Sequence, residues 1–111
     1  MNKLSKGKHY SVLIIDNFHM ETESDYVIEG FPTLELAIEF ARRWVRNSLE
    51  HQRKKNQSKE ELRKMWYSFG EDAVVLDGDY RGSSELDFFI DHPATSREQD
   101  WQAIKKKAGI K

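Results

Sequence analysis

The chain has 111 residues, a net charge of −1, 38% apolar residues and no cysteine. This length is typical of one domain that can bury a core, and the lack of cysteine excludes disulfides, thiolate catalysis and cysteine-ligated metal. Residues 1–9 are basic but precede no long apolar run, which indicates neither a signal peptide nor a membrane span. We therefore expect a flexible basic N-terminus over 1–9 and a single cytoplasmic domain over 10–111.

The first two predicted elements are β-strands. Tyr10–Ile15 is rich in β-branched residues and ends at Asp16, and Asp25–Gly30 forms the second run. Both faces of the first run are apolar, which predicts a central place in a sheet. The connection between the two runs is short enough for an antiparallel pair.

A long helix is predicted next. Apolar residues recur at helical spacing from Leu34 to about Leu49, with possible fraying to Arg53, and Thr33 is a good N-cap. The opposite face is polar and carries several arginines. We expect the apolar stripe to pack on the sheet and the arginines to face water.

Capping-box spacing predicts two more helices. Ser58 and Glu61 open a helix that stops at Gly70, and Ser96 and Gln99 open the last helix of the chain. The tryptophans of the three helices stand at core spacing, so we expect them in the core.

The remaining runs, Ala73–Leu76 and Leu86–Ile90, are predicted as the third and fourth strands, joined by a turn over Asp77–Gly82. The predicted fold is α+β with the order β-β-α-α-β-β-α. It has a mostly antiparallel four-stranded sheet with the helices on one face.

Three short runs carry a resemblance: Asp16 to His19, Gly30 to Thr33 and Ser68 to Asp72. Together they resemble a family of short uncharacterised bacterial proteins, over roughly residues 10–76. The resemblance implies a bacterial cytosolic domain and no particular chemistry.

One group of side chains is a candidate site: Asp16, Asn17 and His19 after the first strand, with Glu71 and Asp72 before the third. If these strands pair antiparallel, both groups share one edge of the sheet. A histidine among carboxylates can bind a divalent metal or move protons. Alternatively, the residues are turn formers and solvated acids. We expect no cofactor and no metal.

The basic stretch 42–64 is a second candidate, since cationic side chains can bind the phosphates of nucleic acid. Its leading residues are Arg42, Arg43, Arg46, Arg53, Lys54 and Lys55. Alternatively, the stretch is a solvated helix face, and the acids around it would repel a duplex.

The sequence contains none of the common catalytic motifs that we sought. Bases dominate 1–9, 40–65 and 92–111, whereas acids dominate 16–39 and 71–91. We expect these charges on opposite sides of the domain, an arrangement that favours association with another protein or with itself. The leading hypothesis is a non-enzymatic protein-binding or accessory module of the bacterial cytoplasm, with no membrane partner. The alternatives are nucleic-acid binding through 42–64 and a small metal-dependent enzyme built on Asp16, His19, Glu71 and Asp72.

Overall fold

The structure is a computed structural model that describes residues 9–18 and 25–111. Over these ranges it has a four-stranded antiparallel sheet and four α-helices, which confirms the predicted α+β class. The sheet order is β2-β1-β3-β4, from strands β1 (Tyr10–Asp16), β2 (Tyr26–Phe31), β3 (Glu71–Val75) and β4 (Tyr80–Arg81). The helices are α1 (Leu34–Gln52), α2 (Lys59–Phe69), α3 (Leu86–Asp91) and α4 (Trp101–Lys107). The predicted flexible N-terminus lies outside the described residues, except for His9.

Strand β1 occupies the centre of the sheet, as its two apolar faces predict. It pairs antiparallel with β2 on one side and with β3 on the other. Val12 and Ile14 point toward the helices and are fully buried, whereas Leu13 and Ile15 point to the opposite face and are partly exposed. The side-chain alternation of a strand explains this division.

Helix α1 packs its apolar stripe on the sheet. Its start is fixed by Thr33, whose hydroxyl accepts a hydrogen bond from the amide of Leu36 at 3.1 Å. Phe40, Val45 and Leu49 are fully buried between this helix and its neighbours. The helix ends within the predicted fraying region, so the sequence-based prediction is confirmed. No helix in the described ranges combines the length and the apolar composition needed to cross a lipid bilayer.

Helix α2 begins with the predicted capping box. The Ser58 hydroxyl accepts from the amide of Glu61 at 3.1 Å, and the Glu61 carboxylate accepts from the amide of Ser58 at 2.9 Å. Leu62 and Trp66 anchor the helix in the core.

The prediction of a strand over Leu86–Ile90 is wrong, because this segment is helix α3. The fourth strand is instead the short β4, within the predicted turn. Leu86, Phe89 and Ile90 are buried at helical spacing, and Phe88 is 54% exposed. A short apolar run fits both periods, and here packing of the segment against α1 and α2 favours the helical one.

The start of the last helix is also corrected. The reciprocal hydrogen bonds run between Thr95 and Glu98, at 2.9 and 3.2 Å, one residue earlier than the predicted pair Ser96 and Gln99. They open a 3₁₀ turn over Arg97–Gln99, and α4 then begins at Trp101 with Asp100 as its N-cap. Ser96 and Gln99 have the spacing of a capping box, but Thr95 and Glu98 form it.

The charges are intermixed in space, so the expectation of acidic and basic sides is wrong. Residues 82–111 pack along the second side of α1, and the bases of 42–63 pair there with acids of 85–98. Pairs that cross between these segments are Arg42 with Glu85 at 2.9 Å, Arg46 with Glu98 at 3.8 Å, Lys59 with Asp91 at 2.5 Å and Arg63 with Asp87 at 2.6 Å. The acidic and basic segments that are separate in the sequence are therefore joined in space, by ion pairs between α1 or α2 and residues 85–98.

Candidate functional site

Asp16 and Glu71 are brought together where β1 ends and β3 begins. They are directly paired across the antiparallel ladder, so both side chains lie on the helix-facing side of the sheet. This confirms the neighbourhood predicted from the strand order. The sequence-based prediction ended β1 one residue early, at Ile15, and started β3 two residues late, at Ala73.

Asp72 lies on the opposite face of the sheet from Glu71. Its side chain is buried, where Oδ2 accepts from Nε of Arg81 at 2.8 Å and Oδ1 accepts from the amide of Ser83 at 3.0 Å. These bonds hold β4 and the 3₁₀ turn Gly82–Glu85 against β3. The structure therefore does not bring Asp72 into a site with Asp16 and Glu71.

The residues after β1 form the turn that their types favour. Oδ1 of Asp16 accepts from the amide of Phe18 at 2.9 Å, as in an Asx-turn. The Asn17 amide group donates to the carbonyl of Trp66 at 3.1 Å, and its backbone amide donates to the carbonyl of Gly70 at 3.0 Å. Asn17 thus ties the end of β1 to the end of α2. His19, the remaining predicted site residue, lies outside the described residues.

A cleft of about 450 Å³ opens beside Glu71, and we call it the Glu71 cleft. Its aromatic lining consists of Phe18, Trp44, Phe69 and Trp101. Its polar lining consists of Asp16, Asn47, Ser48, His51, Gln52 and Glu71. The walls come from the end of β1, the start of β3, the C-terminal half of α1, the end of α2 and the start of α4. The cleft thus combines four aromatic side chains with six polar ones, and binding sites occur preferentially in concave surfaces.

The aromatic rings of the cleft are packed against one another. The Trp44 and Trp101 ring centres are 4.4 Å apart, and those of Phe18 and Phe69 are 5.3 Å apart. Trp44 is 8% exposed, whereas Phe18 and Phe69 are 56% and 48% exposed. Trp44 is therefore held in the core with Trp101 packed on it, and the two phenylalanines offer apolar surface at the rim.

Glu71 is the principal charged group in the cleft. Its Oε1 accepts a hydrogen bond from the Trp44 indole nitrogen at 2.9 Å. Burial raises the pKa of the Glu71 carboxyl, the Trp44 hydrogen bond lowers it, and the nearby Asp16 carboxylate raises it further, so that the net shift is upward.

Ser48 of α1 holds the backbone of Glu71 in place. Its hydroxyl oxygen accepts from the amide of Glu71 at 2.7 Å and from the indole nitrogen of Trp66 at 3.1 Å. One helical hydroxyl thereby satisfies two donors from different elements, and it fixes the first residue of β3 against α1.

Sequence reasoning missed the helical part of the cleft. Trp44, Asn47, Ser48 and His51 all lie on α1, at the spacing i, i+3, i+4 and i+7 that defines one helix face. This stripe borders the apolar one and is visible in the sequence. Trp101 gave no comparable signal, because its place depends on how the C-terminal segment returns to α1.

Four arginines of the basic stretch are committed to internal contacts. Arg43 pairs with Glu39 at 2.8 Å, Arg46 is buried over the Phe89 ring, and Arg53 donates to the carbonyls of Phe89 and Ile90. Arg42 pairs with Glu85, as described above. Lys54 and Lys55 remain exposed, beside a shallow cavity that follows α1.

Within 9–18 and 25–111, no group of three or more histidine, aspartate or glutamate side chains is arranged to hold a metal ion. No family model, curated protein or solved structure matches the chain. The resemblance of residues 10–76 to short bacterial proteins therefore stays a prediction.

Proposed function

We propose that this chain is a small, non-enzymatic protein-binding module of the bacterial cytoplasm, and that it docks its partner at the Glu71 cleft. The observation that carries the proposal is a half-buried carboxylate, bonded to Trp44, in a cleft that four aromatic side chains line. Aromatic residues at a concave surface are the groups that most often supply binding energy between proteins. The half-exposed rings of Phe18 and Phe69 give a partner apolar surface to cover.

An acid–base enzyme is a second candidate, favoured by the pairing of Asp16 with Glu71 inside the cleft. Two neighbouring carboxylates, one with a raised pKa, are a common acid–base arrangement. A metal-dependent enzyme is less well supported, because Asp72 binds Arg81 on the other face of the sheet and cannot join Asp16 and Glu71 as a ligand. Its His19 lies outside the described residues.

Nucleic-acid binding through 42–64 is less well supported, because the arginines that would contact phosphates are engaged. Releasing Arg42, Arg43, Arg46 and Arg53 would break ion pairs and carbonyl contacts that attach the C-terminal segment to α1. The exposed bases Lys54 and Lys55 could contact few phosphates, and the acids at the start of α2 would oppose such contacts.

A displayed random-peptide library selected on the immobilised full chain tests the proposal. Selected peptides are then measured against wild type, Phe69→Ser and Tyr67→Ser. Tyr67 is the matched control, because it lies on the same helix and is 55% exposed but lies outside the cleft. Peptides that dock in the cleft should bind wild type and Tyr67→Ser equally, and they should lose about tenfold or more in affinity for Phe69→Ser.

If no peptide is enriched, or if the enriched peptides bind all three proteins equally, the proposal fails. Mass spectrometry of the recovered peptides tests for peptide cleavage, which an acid–base enzyme acting on peptides would cause and a binding module would not.

A further inference from the structure

The Glu71 carboxylate has one oxygen without a hydrogen-bond donor in the described part of the chain. Oε1 is taken by the Trp44 indole, and no residue of 9–18 or 25–111 donates to Oε2. None of the ion pairs in these ranges includes Glu71. A partly desolvated carboxylate without a cation is costly, and the neighbouring Asp16 adds negative charge. Oε2 is not among the buried unpartnered atoms of the described residues, so it stays accessible to a cationic donor that enters the cleft.

The walls of the cleft fit an organic cation rather than a metal ion. The described lining includes two packed aromatic pairs, Trp44 with Trp101 and Phe18 with Phe69, and the faces of aromatic rings attract cations. A divalent metal would need several oxygen or nitrogen ligands converging on one point, and no such group is present among the described residues.

We infer that the Glu71 cleft receives an arginine side chain of the partner protein, which donates to Glu71 Oε2 and stacks on the aromatic wall. The inference rests on the proposed function and names the chemistry of its partner. A guanidinium is planar, stacks on an indole and presents several donors in one plane. Lysine offers a compact, strongly hydrated point charge, so it gains less from an aromatic wall.

The placement of the acceptors favours a guanidinium, which carries several N–H donors, over a group with a single donor. Glu71 and Asp16 lie side by side across the β1–β3 ladder, and Asn47 and Gln52 add amide oxygens from α1. An arginine that enters past Phe69 meets oxygen-bearing side chains on β1, β3 and α1. The aliphatic part of its side chain then lies against the phenylalanine rim.

Short capped peptides and the tryptophan indole resonances provide the test. The probes are Ac-Gly-Arg-Gly-NH₂, the same peptide with lysine, and the same peptide with citrulline, the neutral relative of arginine. The full chain, labelled with ¹⁵N, has three indole N–H signals, one for each tryptophan. The Trp44 signal reports directly on Glu71, because that N–H is bonded to the carboxylate.

The arginine peptide should shift the Trp44 and Trp101 signals in a saturable way, with a dissociation constant of about 1–10 mM. The lysine peptide should bind more weakly, and the citrulline peptide should bind about tenfold more weakly or not at all. Glu71→Gln should weaken arginine binding by about tenfold. The control Glu29→Gln removes an exposed charge from β2, outside the cleft, and should leave binding unchanged.

Equal shifts with arginine and citrulline would overturn the inference, and this comparison uses wild type alone, so it does not depend on a variant folding. The absence of any shift up to about 20 mM arginine peptide would overturn it as well. If library peptides still depend on Phe69 in either case, the docking function stands and only the choice of arginine fails. If no library peptide depends on Phe69, the proposed function itself fails.

Discussion

Trp44 and Glu71, 27 positions apart in the chain, are joined by a 2.9 Å hydrogen bond from the indole nitrogen to Oε1. The bond fixes the carboxylate at the wall between α1 and β3. The second oxygen, Oε2, accepts no hydrogen bond from residues 9–18 or 25–111. The orientation of Glu71, and with it the recognition proposed for the cleft, depends on this contact and on the hydroxyl of Ser48 beneath it.

Ser48→Ala should lower the free energy of unfolding by about 2–3 kcal/mol, because it leaves the Trp66 indole and the Glu71 amide without their shared acceptor. Urea denaturation of both proteins measures the difference. The control is Ser68→Ala on the exposed face of α2, where the change should be within about 0.5 kcal/mol of zero. Equal effects of the two substitutions would contradict the role of Ser48.

Arg53→Ala should lower the free energy of unfolding by about 1–3 kcal/mol. Its guanidinium donates to the carbonyls of Phe89 and Ile90, which lie near the end of α3 and have no helical partner there. Denaturation of Lys54→Ala supplies the comparison, since Lys54 is an exposed base next in the chain. A loss of stability as large in Lys54→Ala would show that charge alone matters, and not the attachment of α3.

Glu71→Gln should become more stable relative to wild type as the pH rises from about 4 to neutrality. The pKa of the Glu71 carboxyl is raised in the folded protein by burial, opposed by Trp44 and reinforced by Asp16. Its favourable contribution is therefore complete below the pKa of the unfolded chain, and it is lost as pH rises through the folded pKa.

Denaturant unfolding of both proteins across that pH range measures the difference, with Glu29→Gln as an exposed control. If Glu71→Gln instead becomes less stable relative to wild type as the pH rises, ionisation of Glu71 stabilises the folded protein and the account of its pKa is contradicted.

The helices and the central strand could be predicted because local signals there agree with the tertiary structure. Thr33 and Ser58 cap the helices that follow them, and the two apolar faces of β1 place it between β2 and β3. The segment Leu86–Ile90 could not be assigned, since its five residues fit either period and only packing decides between them.

The candidate site was predictable in the part that depends on strand pairing. The proximity of Asp16 and Glu71 follows from the antiparallel pairing of β1 with β3. Asp72 is the next residue of β3, so its side chain lies on the opposite face of the sheet. The part built by α1 was present as the Trp44–His51 stripe. Trp101 depends on how the C-terminal segment packs on α1, through the buried residues Leu86, Phe89, Ile90 and Ile104 and through ion pairs. No local pattern encodes these long-range contacts.

The most direct test of the proposed recognition is a set of intermolecular nuclear Overhauser effects between the arginine peptide and the labelled chain. We expect contacts from the arginine δ-methylene protons to the rings of Trp101 and Phe69, which line the cleft with Glu71. Contacts to Tyr67 or Phe88, which are exposed outside the cleft, would contradict the account, and so would contacts of undiminished intensity in Glu71→Gln at the same peptide concentration.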